Sequence, residues 1–130
     1  MFVPNNEGDG YERGPTQQVL LTAAQMGLAV SVPISGNVQS SLIQMNGWQR
    51  FSIGLVSSQA GTLSAQRYLD IAGTIAQGAA VTAVLTAATA AVVNAGSDLA
   101  PCASIQVTVS NSSGSVIAAL TLVGAILQSA

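Results

Sequence analysis

Apolar and polar side chains alternate most clearly over WQRFSIGLVSS, where Phe51, Ile53 and Leu55 fall on one face and Arg50, Ser52 and Gly54 on the other. A period of two predicts a half-buried β-strand. Gln59-Ala60-Gly61 supplies a turn, and TLSAQRYLD resumes with Leu63, Ala65, Arg67 and Leu69 opposed to Thr62, Ser64, Gln66 and Tyr68. Both faces are mixed, which predicts a strand covered on both sides and ended by residues 70–73.

The segment ASIQVTVSNSSGSVIAALTLVGAILQ carries the strongest architectural signal. Ile105, Val107 and Val109 alternate with Gln106, Thr108 and Ser110 before a polar turn and a second apolar run. This pattern predicts a β-hairpin with a loop of about four or five residues. In the returning strand Val116, Ala118, Leu120, Leu122 and Ile126 share a face, while Ile117, Ala119, Val123 and Leu127 make the other face apolar too. One face is expected to meet the core and the other a second protein surface.

Other segments are less regular. Residues 16–26 fit one helical turn or a strand, with Val19, Leu20, Ala23 and Ala24 at helix-like spacing. LAVSVPIS alternates up to Pro33, which suits an edge strand or a strand end. Residues 41–45 form another short candidate, closed by the turn dipeptide Asn46-Gly47. VTAVLTAATAAVVN is rich in Ala, which favours helix, and in Val and Thr, which favour strand. The alternation of Val81, Ala83, Leu85 and Ala87 with Thr82, Val84 and Thr86 predicts a strand, with a second strand or extended loop from Ala88 onward.

Roughly six to eight short antiparallel strands, with a turn signal about every ten residues, predict an all-β sandwich or jelly roll. Residues 17–130 form that domain. Residues 1–16 differ in kind, with Pro4, Pro15, three Gly and only Phe2, Val3 and Tyr11 as prominent apolar groups. They read as an extended arm that cannot fold alone. A disordered tail and a docking arm that orders on a neighbour both fit that composition. In the docking reading Phe2, Val3, Tyr11 and Arg13 make the contact.

Charge sharpens this division. Only 6% of the 130 residues are charged, against about 25% in an average globular protein. Glu7, Asp9, Glu12 and Arg13 lie in the arm, and the rest of the chain holds only Arg50, Arg67, Asp70 and Asp98. Soluble proteins use charge to stay dispersed and to blunt sheet edges, so a body this bare is expected to be covered by partners, itself included. A domain solubilised by Ser, Thr, Asn and Gln is the alternative. Three Arg and a net charge of −2 offer no basic stripe for nucleic acid.

The same scarcity removes most chemistry. The chain has no His and no Lys, so neither a Ser-His triad nor a Ser-Lys pair can be assembled. The single Cys102 permits no internal disulfide and no thiolate-rich zinc site; it reads as a small buried hydrophobe. Asn5, Glu7, Asp9 and Gly10 match the first positions of a calcium loop, but Thr16 stands where a bidentate Glu belongs. Asp70 and Asp98 are the only carboxylates of the body, and both lie in turn-like sequence where Asp bonds its own backbone. No catalytic residue, metal site or cofactor is expected. Trp48, next to the Asn46-Gly47 turn, is either a core anchor or an exposed platform for a glycan.

The N-terminus has no basic region followed by an apolar stretch, so no secretory signal is expected. Residues 71–97 and 99–130 are nearly uncharged, yet the first is broken by Gly73, Gln77, Gly78 and Asn94 and the second by SNSSGS. Neither suits a membrane span, which leaves a small pore protein as a minor alternative.

From Trp48 onward, GWQRFSIGLVSS, then GTLSAQRYLD, then CASIQVTVSNSSGSVIAALTLVGAIL resembles small β-sandwich proteins of tailed-bacteriophage virions. The likeness covers about 80 residues, and Asp70-Ile71-Ala72-Gly73 stands where many such proteins carry a turn rich in Asp and Gly. It implies a capsid cement or decoration protein, or else a head-fibre or tail component. The partners implied are the major capsid protein and further copies of the chain, on the surface of a virion assembled in the host cytoplasm.

Overall fold

A computed structural model describes residues 17–95 and 102–129. Among them, nine strands and one short helix follow in the order β1 (Gln18–Leu20), α1 (Ala23–Met26), β2 (Asn37–Gln39), β3 (Ile43–Gln44), β4 (Arg50–Ser57), β5 (Gly61–Tyr68), β6 (Val81–Leu85), β7 (Ala90–Asn94), β8 (Ser104–Asn111) and β9 (Leu120–Gln128). One antiparallel sheet has the order β1-β9-β4-β7, and the other β2-β8-β5-β6, with β3 also on β8. Taking β2 and β3 as one interrupted strand gives two four-stranded sheets. Apart from β2–β3 and β5–β6, every connection passes from one sheet to the other, which is the jelly-roll arrangement.

The core lies between the sheets. Phe51, Ile53 and Leu55 of β4 point into it, as their alternation predicts, and meet Leu63 and Ala65 of β5 and Ile105, Val107 and Val109 of β8 in one buried cluster. The outward side chains of β5, Thr62, Ser64 and Gln66, are only half-buried, so this strand is covered on one side and not on both. The Val- and Thr-rich segment divides into β6 and β7 as strands, with the turn between them carrying the chain from one sheet to the other.

The terminal hairpin does not form. The two predicted strands exist as β8 and β9, but β8 pairs with β2, β3 and β5 while β9 pairs with β1 and β4. Residues 112–119 bridge the sheets instead, organised by Asn111. Its Nδ2 donates to the carbonyls of Ser115 (2.8 Å), Pro33 (3.1 Å) and Val32 (3.4 Å), and its Oδ1 accepts from Ser113 N and Oγ. Two amide hydrogens serve three acceptors, so one bond is shared. Replacing Asn111 with Ala removes this hub, while Val32 O, Pro33 O and Ser115 O keep second donors in Ile117 N, Gly36 N and Ser113 Oγ; the loss is expected to be about 1–2 kcal/mol, read as a lower midpoint in urea. An unchanged midpoint would show that water replaces the amide there.

The apparent two-faced character of the last strand has a local cause. Gly54 pairs with Gly124 but Leu55 with Leu122, so Val123 is an extra residue in β9. Such a bulge reverses the alternation. Leu120 and Leu122 turn toward the core before it and Ala125 and Leu127 after it, which is why apolar residues occur at both parities.

Short elements behave less predictably. Residues 17–26 contain both a strand and a helical turn, the latter set by a capping box between Thr22 and Gln25 and ended by Gly27 at φ 67. The predicted strand ending at Pro33 is reduced to a single bridge between Val32 and Ile117. Asn46 (φ 41) and Gly47 (φ 90) make the expected turn, closed by Trp48 N donating to Met45 O. It joins the two sheets rather than two strands of a hairpin.

Candidate interaction surfaces

The two sheets turn different outer faces to solvent. On the second sheet, Gln39, Thr108, Ser64 and Thr82 line up across four strands, and Asn37, Ser110, Thr62 and Val84 form the next row. This face is uncharged and dominated by hydroxyls and amides. On the first sheet the outward residues mix the aliphatics Leu20, Ile126, Val123, Val56 and Val92 with the hydrogen-bonded pairs Gln18–Gln128 and Ser52–Asn94, and with Arg50 at one end. Leu20 (71%), Val123 (64%) and Val92 (58%) are mostly exposed.

Both ends of the sandwich add further aliphatics. At one end Val30, Ile34 and Val116 are exposed around the Asn111 hub. At the other, the loop after β5 exposes Leu69, Ile71 and Ile75. That loop is braced: Leu69 N donates to Ile75 O, Gln44 Nε2 to Ile71 O, and Ser104 Oγ to Asp70 O. The Asp70 carboxylate accepts from Thr74 Oγ1, Thr74 N and Ile75 N. Those bonds, led by the Thr74 hydroxyl, lower its pKa below the ordinary carboxylate range. Its lone pairs are engaged in holding the turn, as turn sequence predicts.

Trp48 lies between the core and the surface. It is half-buried and packs against the core, while its remaining surface joins Gln17, Asn46, Gly47 and Ser129 around a shallow pocket of about 200 Å³. A second, apolar hollow of about 380 Å³ lies between Leu20–Ala23 and Leu122–Ala125. Sequence reasoning missed it, because it arises where β1 leaves the sheet beside the bulge.

Cys102 is half-buried and free; burial raises its thiol pKa, an effect only partly offset by the nearby Arg67. Such a thiol is mostly protonated at neutral pH and a poor nucleophile. Among the described residues, no three His, Cys, Asp or Glu side chains cluster as a metal site requires, and no helix is long and apolar enough to cross a membrane. Phe2, Val3, Tyr11, Arg13, the calcium-like pattern over 5–16 and Asp98 lie outside the described residues.

The chain matches no model of a known protein family and no curated protein. The resemblance to phage virion proteins therefore rests on the segments quoted above.

Proposed function

We propose that this chain is a structural subunit that works by packing against protein, and that it serves as a capsid cement or decoration protein of a tailed-phage type of virion. It binds over junctions between major capsid protein subunits on the outer surface, and it carries out no catalysis. The observation that carries this reading is the imbalance of the body's surface. Aliphatics stand exposed on the first sheet, at Val84 of the second and at both ends of the sandwich, while the described residues include only Arg50, Arg67 and Asp70 as charged side chains. Exposed apolar patches rimmed by polar residues mark interaction sites. The jelly roll supports the reading by analogy alone, since it is shared by capsid and lectin domains.

In this mechanism residues 1–16 reach from the β1 end of the body to neighbouring subunits. Each bound copy stabilises the assembled shell by mass action, because it binds the closed arrangement and not the separated subunits. Purified chain added to capsids lacking it is expected to bind to saturation and to raise the temperature at which they disrupt. Removing residues 1–15 should leave a folded body with reduced occupancy, measured by co-sedimentation and electron microscopy. Full occupancy without the arm would sink its assigned role. Polymers of the chain formed without any capsid would instead indicate a surface-layer or pilus subunit.

A second reading has one observation in its favour. The pocket at Trp48 combines an aromatic wall with amide and hydroxyl groups, the kind of site on which a sugar ring stacks. A head-fibre or tail module binding a host glycan would show saccharide binding that Trp48→Ala removes while the chain stays folded.

A further inference from the structure

We infer that the end of the sandwich closed by the Asn46-Gly47 turn binds a small carboxylate, held by the Arg67 guanidinium with the amides of Gln49 and Gln77 beside it. The inference goes beyond the assembly reading and does not rest on it, because it concerns a site between the sheets and is tested on the chain alone.

Arg67 stands where a charge is costly. On β5 it shares the parity of Gly61, Leu63 and Ala65, which are buried, and it pairs with the fully enclosed Ile105. Its side chain therefore starts on the inner face of the sheet. Of the other charged residues among those described, Arg50 is exposed on the outer face of β4, and the Asp70 carboxylate is held in its own loop by Thr74 and Ile75. Only Arg67 is set inward. No ion pair joins it to another described residue, and its buried Nε has no hydrogen-bond acceptor.

Two further buried atoms share that condition, the Oε1 oxygens of Gln49 and Gln77. Among the described residues these three are the buried side-chain polar atoms with no hydrogen-bond partner, and the fold brings them to one end of the molecule. Gln77 N donates to Arg67 O, and Ala76 bridges Tyr68, so Gln77 lies opposite Arg67 on the same face. Gln49 comes from the other sheet. It precedes β4 with the parity of the buried Phe51 and Ile53, and its N–H continues the ladder to Gln128 O at 3.0 Å. Backbone bonds from Trp48 N to Met45 O, Met45 N to Ala103 O and Ala103 N to Tyr68 O tie the two sheets together here. Side chains as long as Arg and Gln meet across the roughly 10 Å that separates stacked sheets.

Charge selects the ligand. Water satisfies an amide but does not neutralise a guanidinium, and a charge withdrawn from solvent without a counter-charge is strongly unfavourable. The neighbouring Cys102 does not supply one, since burial keeps its thiol protonated. A half-turn of a Gln amide exchanges its O and N ends, so each of the two can place an N–H donor where its unpartnered oxygen stands. Arg67 Nε and one Nη form a planar fork that matches two carboxylate oxygens. The amides donate to the remaining lone pairs, and all three groups then serve one ligand. A single cation balances a singly charged carboxylate, whereas a phosphate dianion needs a second.

The Nε–H resonances of the full chain, observed by nitrogen-15 NMR, test this directly. Titration with acetate to millimolar concentration is expected to shift the Arg67 signal, assigned by its loss in Arg67→Lys, to saturation while the Arg50 signal stays in place. Glucuronate should act likewise and glucose should not; a glucuronate affinity above that of acetate would assign the carboxylate to a sugar acid, and equal affinities to a free acid. Gln77→Ala should weaken acetate binding about tenfold, the worth of one hydrogen bond to a charged group. Acetate should raise the melting temperature of the parent but not that of Arg67→Met, which without ligand should melt no lower than the parent because it removes an unpaired charge. An Arg67 signal that does not move, or that chloride moves as far as acetate does, overturns the inference. So does binding that appears only in Asp98→Asn, since a carboxylate of the chain itself would then be the partner of Arg67. The parent's own Arg67 signal carries the decision, whatever the folding of the variants, and a negative result leaves the decoration reading standing.

Discussion

Phe51→Ala is expected to lower the stability of the folded chain by about 3–5 kcal/mol. Phe51 is the largest fully buried side chain among the described residues, and the other Phe of the sequence, Phe2, lies in the arm. It sits on β4, which is hydrogen-bonded on both sides, to β9 and to β7. Phe51 faces Leu127 across one ladder, and its carbonyl accepts from Ala95 N at 2.8 Å. Collapse around the vacated ring is therefore resisted by backbone on both flanks, and the residual cavity adds to the lost transfer free energy.

A chain of this size has about 5–15 kcal/mol of stability in total, so the loss is a large fraction. The melting temperature should fall by roughly 10–20 °C, measured by calorimetry at matched concentration so that any dimer contributes equally. A fall of less than about 3 °C would mean that the ring is not enclosed between the sheets.

The sequence makes β4 legible because the physics there is local. One face is buried, the other is not, and the period of two survives unbroken from Phe51 to Leu55. The same rule misleads at β9, where the extra Val123 reverses the parity and makes a one-sided strand look apolar on both faces. Gly124 is the one mark of the bulge in LTLVGAILQ, since a glycine inside a strand pattern suggests one, but its position is fixed by pairing with β4, some 70 residues earlier in the chain. The hairpin expected from 103–128 fails for a related reason. A polar turn between two apolar runs announces a reversal of direction but not which sheet receives the second strand. That choice is made by long-range contacts such as Val32 with Ile117 and by Asn111 reaching back to Pro33.

The interaction surfaces are less legible than the fold. Trp48 is marked by its side chain and by the turn before it, and its half-buried setting explains why both of its readings were open. Val92 and Gly124 carry no such mark. In AAVVN the outward Val92 and the inward Val93 are chemically identical, and only the register with β4 separates them. A glycine in a strand also looks the same whether crowding demands it or not.

That last ambiguity is resolved by Gly61, where Gly61→Ala is expected to be severely destabilising. A Cβ at Gly61 would lie 2.2 Å from the carbonyl oxygen of Ser110, closer than non-bonded atoms come. The obstacle is backbone, so no side-chain rotation relieves it. Ser110 cannot withdraw freely either, because β8 is held between β2, through Asn37, and β5, through Thr62. Gly61 itself is fixed from both sides, opposite Leu85 of β6 and Asn111 of β8.

Relief therefore requires β5 and β8 to separate at this end of the sheet, next to the Asn111 hub that carries the chain across to β9. Overpacking of this kind costs about 1–3 kcal/mol and more where backbone must move, so a loss of about 3 kcal/mol is expected. Urea unfolding measures it, with Gly124→Ala as the control expected to lose nothing and to gain up to about 0.5–1 kcal/mol, because a Cβ there meets nothing within 4 Å and alanine replaces a strand glycine. Equal midpoints for the two variants would mean that the close approach of β5 to β8 at Gly61 does not exist. A large loss confined to Gly61→Ala would instead separate the glycine that the monomer requires from the one that it does not.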